Sequence, residues 1–364
     1  MRVEHPPRWR RLLKNAIASA IWRAHATPLS SALSSGEPRP LVVGYHRVVD
    51  DLASAATDMP TMLTSVAMFE RHIEWIGRHF QFVSLDEIGD RITRDVPFTR
   101  PVAAVTFDDG YLDVYENALP VLQRKGIPSA VFVVTDLVGR PCWQVHDKVY
   151  HLMAKAYTHW SDPWDGLTRL LAGVDMSAGA IPGMRASSRN PYAAVTTLLP
   201  ALSQAHVGRV IAMLTEQVGN GIPDGPRSVT WEHVDAMRRS GVTIGSHTKS
   251  HAWLANESEE KGFEEVAGSK AELERRIGAP VDHFAYPGGQ FTPPVVDLVA
   301  RAGYRFAYTV CDHHDSNHPS LTIERLLLWE GSSIGADGRF SSAILNCQTH
   351  GLWPGRRCER VHAA

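Results

Sequence analysis

The stretch "AVTFDDGYLDVY" (residues 104–115) joins an apolar run to two adjacent acids, Asp108 and Asp109, followed by Gly110. Neighbouring side chains on a strand point to opposite faces, and two carboxylates this close make it costly to ionise both. Where a strand ends, the alternation can break and both acids can reach one cavity. A cation would then hold one carboxylate ionised while the other, outside its ligand shell, serves as a base. Taken alone, a "DDG" reads first as two solvated acids opening a turn before Gly110.

Outward from this point, strands and helices alternate. "LVVGYHRV" (41–48) reads as a buried strand, and "SVAMFERHIEWIGRHF" as an amphipathic helix with Ser65 at its N-cap. "PVAAVTFDD" is the clearest strand; "VYENALPVLQRKG" is the helix after it, closed by Gly126; "SAVFVVT" (129–135) is the next strand. After a gap come helix "TWEHVDAMRRSG", strand "VTIGSH" (242–247), a long charged helix over much of 256–277, and strand "HFAYP". Helix "PPVVDLVARAG" and strands "RFAYTV" and "ERLLLWEG" complete the pattern. This alternation predicts an α/β fold on a mainly parallel sheet, either open or closed as a barrel. Residues 140–227 interrupt it with an insertion of helices, and the Ser-, Gly- and Pro-rich segment 30–40 is a linker. Sites on such sheets lie at the carboxyl ends of strands, which gives "YH", "DD" and "SH" one address.

The bulk composition narrows the function. Of 364 residues, 44% are hydrophobic and 21% charged, and the net charge of −2 supplies no basic field for nucleic acid. Four scattered cysteines form no CxxC pair and fit a reducing compartment. No apolar run reaches the roughly 20 residues of a membrane span. The basic N-terminus "MRVEHPPRWRRLLKNAIASAIWRAHA" is a poor signal peptide; it reads as a membrane-surface helix or as a plain surface helix. The expected location is the cytoplasm or the cytoplasmic membrane face.

A second constellation is "IGSHTKSHAWL", where His247 ends a strand and His251 follows within one helical turn. Two imidazoles and one carboxylate leave open positions on a Zn-like ion, as hydrolytic metal sites require. The strand-end pair Asp108 and Asp109 offers the carboxylate. "CDHHDSNHP" (311–319) is rich in such groups but reads as a solvated loop, and Trp143, Trp231 and Trp329 read as core more than as sugar-stacking platforms.

"TFDDGY", then "SHTKSH", then "FAYPGG" resemble the NodB-like polysaccharide deacetylases, carbohydrate esterase family 4, over roughly residues 40–335. The resemblance implies a distorted (β/α) barrel that removes N-acetyl groups from amino-sugar glycans. It implies Asp108 as catalytic base, Asp109, His247 and His251 as ligands of a divalent metal (Zn2+, with Co2+ or Ni2+ as alternatives), and the Gly288 N–H as oxyanion donor. The third motif departs from the family: Ala285 replaces the arginine that orients the base, and Gly288 a tyrosine. The late motif that supplies the acid is also missing, because His350 in "LNCQTHG" has the wrong spacing. In the poly-N-acetylglucosamine deacetylase branch the domain starts on a strand ending in Tyr-His, which makes His46 the candidate acid. Arg325 is the candidate for the missing arginine, with Arg47 as its rival. Tyr45, Tyr111, Pro287 and Arg325 are expected to meet the substrate. The implied organisation is a basic segment and linker (1–40), the deacetylase domain (41–335) and a tail (336–364). The insertion is expected to set substrate identity more than metal affinity. Deacylation of O-acetyl or N-formyl groups on a lipid-linked sugar, a silent carbohydrate-binding protein, and a metalloenzyme of another barrel family are the competing readings.

Overall fold

The computed structural model describes residues 13, 16–20, 38–53, 55, 58–219 and 228–352. Most of the basic N-terminal segment and linker lies outside them. Among the described residues no helix is long and apolar enough to cross a membrane.

The strands are β1 (Leu41–Tyr45), β2 (Arg47–Val49), β3 (Leu63–Ser65), β4 (Gln81–Phe82), β5 (Val102–Phe107), β6 (Ser129–Val133), β7 (Thr243–Ser246), β8 (His283–Ala285), β9 (Phe306–Thr309), β10 (Ile323–Glu324) and β11 (Leu326–Leu327). β2 and β3 form a small separate pair; the others make one sheet in the order β10-β9-β8-β7-β6-β5-β1-β11, with β4 added to β5. Every pairing is parallel. The two ends of that order, β10 and β11, are consecutive pieces of a single segment joined by Arg325. Its backbone N–H reaches the Thr309 carbonyl on one side, and the Leu328 N–H reaches that of Gly44 on the other, both at 2.9 Å. The sheet is therefore a nearly closed barrel. "ERLLLWEG", expected as one strand, is instead the bent seam that closes it.

Strand alternation sorts the core into two shells. Val42, Val102, Ala104, Ala130, Phe132, Ala285, Phe306, Tyr308 and Ile323 cluster inside the barrel, joined by Leu85 and Ile88 of the helix Leu85–Thr93. Leu41, Val43, Tyr45, Ala103, Val105, Phe107, Val131 and Val133 belong to the outer shell under the surrounding helices. One of those helices, Val66–His79, begins where Ser65 Oγ accepts from the Met68 N–H, as the sequence predicts. The 140–227 region supplies helices Val145–Tyr157, Pro163–Ala172, Pro191–Leu198 and Gln204–Val218. The tail contains a helix, Ser342–Thr349, whose Ala343, Ile344 and Cys347 pack on Ala18.

Candidate active site

Two residues apart along β5, Ala104, Thr106 and Asp108 share the inner face of the barrel. On the seam, Ile323 and Arg325 do the same. Arg325 consequently lies inside the barrel, 2% exposed. Its Nη1 and Nη2 donate to Asp108 Oδ1 and Oδ2 at 2.7 and 2.8 Å, and Nη1 also reaches Thr106 Oγ1 at 3.2 Å. Burial alone would raise the Asp108 pKa, but Arg325, His247 and His46 together pull it down to about 2.

Asp109 follows with φ of 68°, a left-handed conformation that a non-glycine residue seldom adopts. This turn breaks the strand's alternation and brings the second acid to the same rim. Gly110 continues at φ 67°, where a Cβ would lie 2.9 Å from Val133 Cγ1. Thr248 and His251 are also left-handed, so three of the five described non-glycine residues with positive φ belong to these two motifs. Asp109 Oδ1 lies 3.6 Å from His247 Nε2 and 3.5 Å from His251 Nε2, and Oδ2 lies 3.6 Å from His146 Nε2. Donor atoms of Asp109, His146 and His251 all fall within 4.8 Å of one another. The His247 Nδ1–H donates to the Ala285 carbonyl at 2.7 Å, leaving the Nε2 lone pair facing Asp109.

This donor set fits a metal ion. Both Asp109 carboxylate oxygens are buried and have no hydrogen-bond partner. Burial, then Asp108 and Asp147, push its carboxyl well above the usual range. Burial lowers His247 and His251 and takes His146 down to about 3, which keeps all three imidazoles neutral. Neutral imidazoles around a carboxylate without a counter-charge are what a divalent cation takes up.

His46 follows β1 directly, on the same inner face, half-buried. Burial lowers its pKa to about 4, with Asp108 opposing the shift and His146, His247 and Arg325 adding to it. Gly288, exposed at the turn after β8, has φ of 61°, and a Cβ there would stand 2.8 Å from Trp253 Nε1. Pro287 beside it is buried.

Other expected residues lie elsewhere. Tyr45 is in the outer shell, fully buried, with its hydroxyl 3.3 Å from His72 Nδ1 and its ring against Phe69. The alternation that sends His46 inward sends Tyr45 out, away from any substrate. Tyr111 is also fully buried, its hydroxyl donating to Asp147 at 2.5 Å and meeting His146 Nε2 at 2.9 Å. Arg47 pairs with Asp58 and Asp113, at 2.5 and 2.7 Å, and not with Asp108. Arg325 turns its fork onto Asp108, so it is not available as a substrate contact. The 311–319 loop spends its donors and acceptors on backbone: Asp315 Oδ1 accepts from the Asn317 and His318 N–H groups, and His314 donates to the Thr322 carbonyl beyond it.

The structure adds Gln144, His146 and Trp253, which the sequence reading passed over. Gln144 donates to the Asp109 carbonyl at 2.8 Å. Trp253 packs edge-on to His251, and its buried indole N–H has no partner. "WQVHDKVYH" carries no recognisable ligand spacing; a histidine beside an acid at a helix start was its only signal.

The sequence pattern of the polysaccharide deacetylase family matches residues 95–172 and 189–307, more than half of the chain. The poly-beta-1,6-N-acetyl-D-glucosamine N-deacetylase of Staphylococcus epidermidis is 26% identical over 137 residues, 35% of this chain and 47% of that protein. YxkH of Bacillus subtilis is 32% identical over 72 residues, 20% of this chain and 26% of its own length. Both matches thus span less than half of the relative. The solved structure of the Streptococcus pyogenes deacetylase PplD, in complex with acetate, superposes with a TM-score of 0.53 at 15% identity, covering 86% of this chain and 99% of that one, and so shares the fold. With the family pattern spanning both the "TFDDG" and "SHTKSH" stretches, the chain belongs to the polysaccharide deacetylase family.

Proposed function

We propose that this protein is a metal-dependent hydrolase that removes N-acetyl groups from an amino-sugar glycan, through the domain at 41–335. One observation carries the reading. An ionised carboxylate gripped by a buried arginine stands next to a second carboxylate ringed by neutral imidazoles, all at the strand ends of one barrel. The relative named as a poly-beta-1,6-N-acetyl-D-glucosamine N-deacetylase supports the substrate class.

Asp109, His247 and His251 would hold the metal, with Zn2+ the best match to imidazole and carboxylate donors and Co2+ or Ni2+ as alternatives. When bound, the ion supplies a Lewis acid that polarises the acyl carbonyl. Asp108 takes the proton of the attacking water, a role typically worth roughly 10²–10⁴-fold. The Arg325 fork keeps Asp108 ionised and aimed, at the cost of basicity. The Gly288 N–H is the proposed donor to the developing oxyanion, a contribution of about 3 kcal/mol. His46 is neutral at rest, so it delivers a proton to the departing amine only after receiving one, the proton that Asp108 takes from the water being the proposed source. Peripheral membrane contact through the basic N-terminus rests on sequence alone.

The test is acetate release from N-acetylglucosamine oligomers by zinc-loaded wild type and Asp108→Asn. The variant is expected to keep its metal and lose at least about 10²-fold in turnover. Wild type that binds zinc but releases no acetate, or a variant with near-normal turnover, would overturn the assignment.

A further inference from the structure

The helical insertion meets the site with its first residues. Its first helix starts at Val145, and the residues at that start all hold the Asp109–Tyr111 strap. Gln144 bonds the Asp109 carbonyl at 2.8 Å, Asp147 accepts the Tyr111 hydroxyl at 2.5 Å, and His146 Nε2 meets the same hydroxyl at 2.9 Å. His146 Nε2 faces Asp109 Oδ2 at 3.6 Å, while His247 and His251 face the other oxygen, Oδ1. The rings of His146 and His247 each lie 5.0 Å, centroid to centroid, from that of His251. Two sets of donors therefore overlap on Asp109 and His251: one completed by His247 from β7, the other by His146 from the insertion. Both Asp109 oxygens are buried and lack a partner, so the His146 side of the carboxylate is as much in need of a cation as the other.

We propose that His146 is a further protein ligand of the metal, making the site a three-histidine, one-carboxylate set that the insertion completes. This rests on the functional reading above. It assigns the start of the insertion to metal retention, where position along the chain alone suggested a role in substrate choice. The competing arrangement has the His146 Nε2–H donating to the Tyr111 hydroxyl, 2.9 Å away, as a purely structural link.

The experiment loads the full chain with Zn2+ or Co2+ and measures affinity by competition with a chromophoric chelator, together with the Co2+ d–d absorption. His146→Ala and the gentler His146→Gln are compared with His251→Ala, and circular dichroism of the metal-free proteins checks folding. Expected are a loss of affinity in both His146 variants at least as large as the roughly 10–100-fold typical of groups that only orient a ligand, and a changed Co2+ spectrum, which such a group would leave nearly unmoved, with His251→Ala losing the ion outright. Wild-type affinity and an unchanged spectrum in folded His146 variants would overturn the proposal while leaving the deacetylase reading intact. Wild type that binds neither metal would instead remove the functional reading itself.

Discussion

At the scale of single residues, the Arg325–Asp108 fork is the interaction with the largest consequences. Both partners are buried, and both nitrogen–oxygen contacts are short. Removing one member of such a pair strands the other charge, at about 3–5 kcal/mol. The Asp108 pKa is depressed in the fold, to about 2, against about 3.9 in an unfolded chain. Its contribution is therefore complete above about pH 4 and is lost as the pH falls towards 2. Arg325→Ala should show its largest deficit in urea unfolding at pH 7. The gap to wild type should narrow as the pH falls from about 4 towards 2, over which folded Asp108 takes up its proton and ceases to need a counter-charge. An equal deficit at pH 7 and pH 3 would show that lost packing, not charge, sets the cost.

At the scale of elements, the site depends on close packing inside the barrel, where β7 presents a glycine to the Phe132 ring of β6. Gly245 in β7 is flanked by β6 and β8, and a Cβ there would stand 2.4 Å from Phe132 Cδ1 and 3.0 Å from the His283 carbonyl. Phe132 cannot easily move aside, because the Arg325 guanidinium lies over its ring, 5.3 Å from the centroid. Gly245→Ala should therefore cost about 1–3 kcal/mol through overpacking and displace His247, two residues on. A lowered melting temperature accompanied by weaker metal binding is the expected result. A variant as stable as wild type would mean that the inner layer is looser than described.

At the scale of the whole molecule, the decisive feature is closure. The seam 323–328 bonds to β9 on one side and β1 on the other, so neither end of the sheet is left as a long open edge. Closure also carries Arg325 across 217 residues of sequence to Asp108. In native-state hydrogen exchange, the Arg325 and Leu328 amides should be protected as strongly as those of central β5. Rapid exchange at both would indicate an open sheet with a fraying edge.

Much of this was legible in the linear chain because its causes are local. Apolar runs of strand length, the Ser65 cap, Gly126, and the "TFDDG" and "SHTKSH" motifs depend on neighbours a few residues away, and they located Asp108, Asp109, His247 and His251. What the sequence could not determine is which distant groups meet them. Arg325 and Arg47 looked equivalent until barrel closure put one inside, against Asp108, and left the other with Asp58 and Asp113. Tyr45 and His46 are adjacent in the motif, and only the direction of the pleat separates core from site. His146 has no spacing that marks it, because its partners Asp109 and Tyr111 belong to the strap after β5 and are brought to it only when the insertion folds back. Short-range pattern determined the elements and the acids and imidazoles they present. Long-range closure and packing decided how those groups are paired.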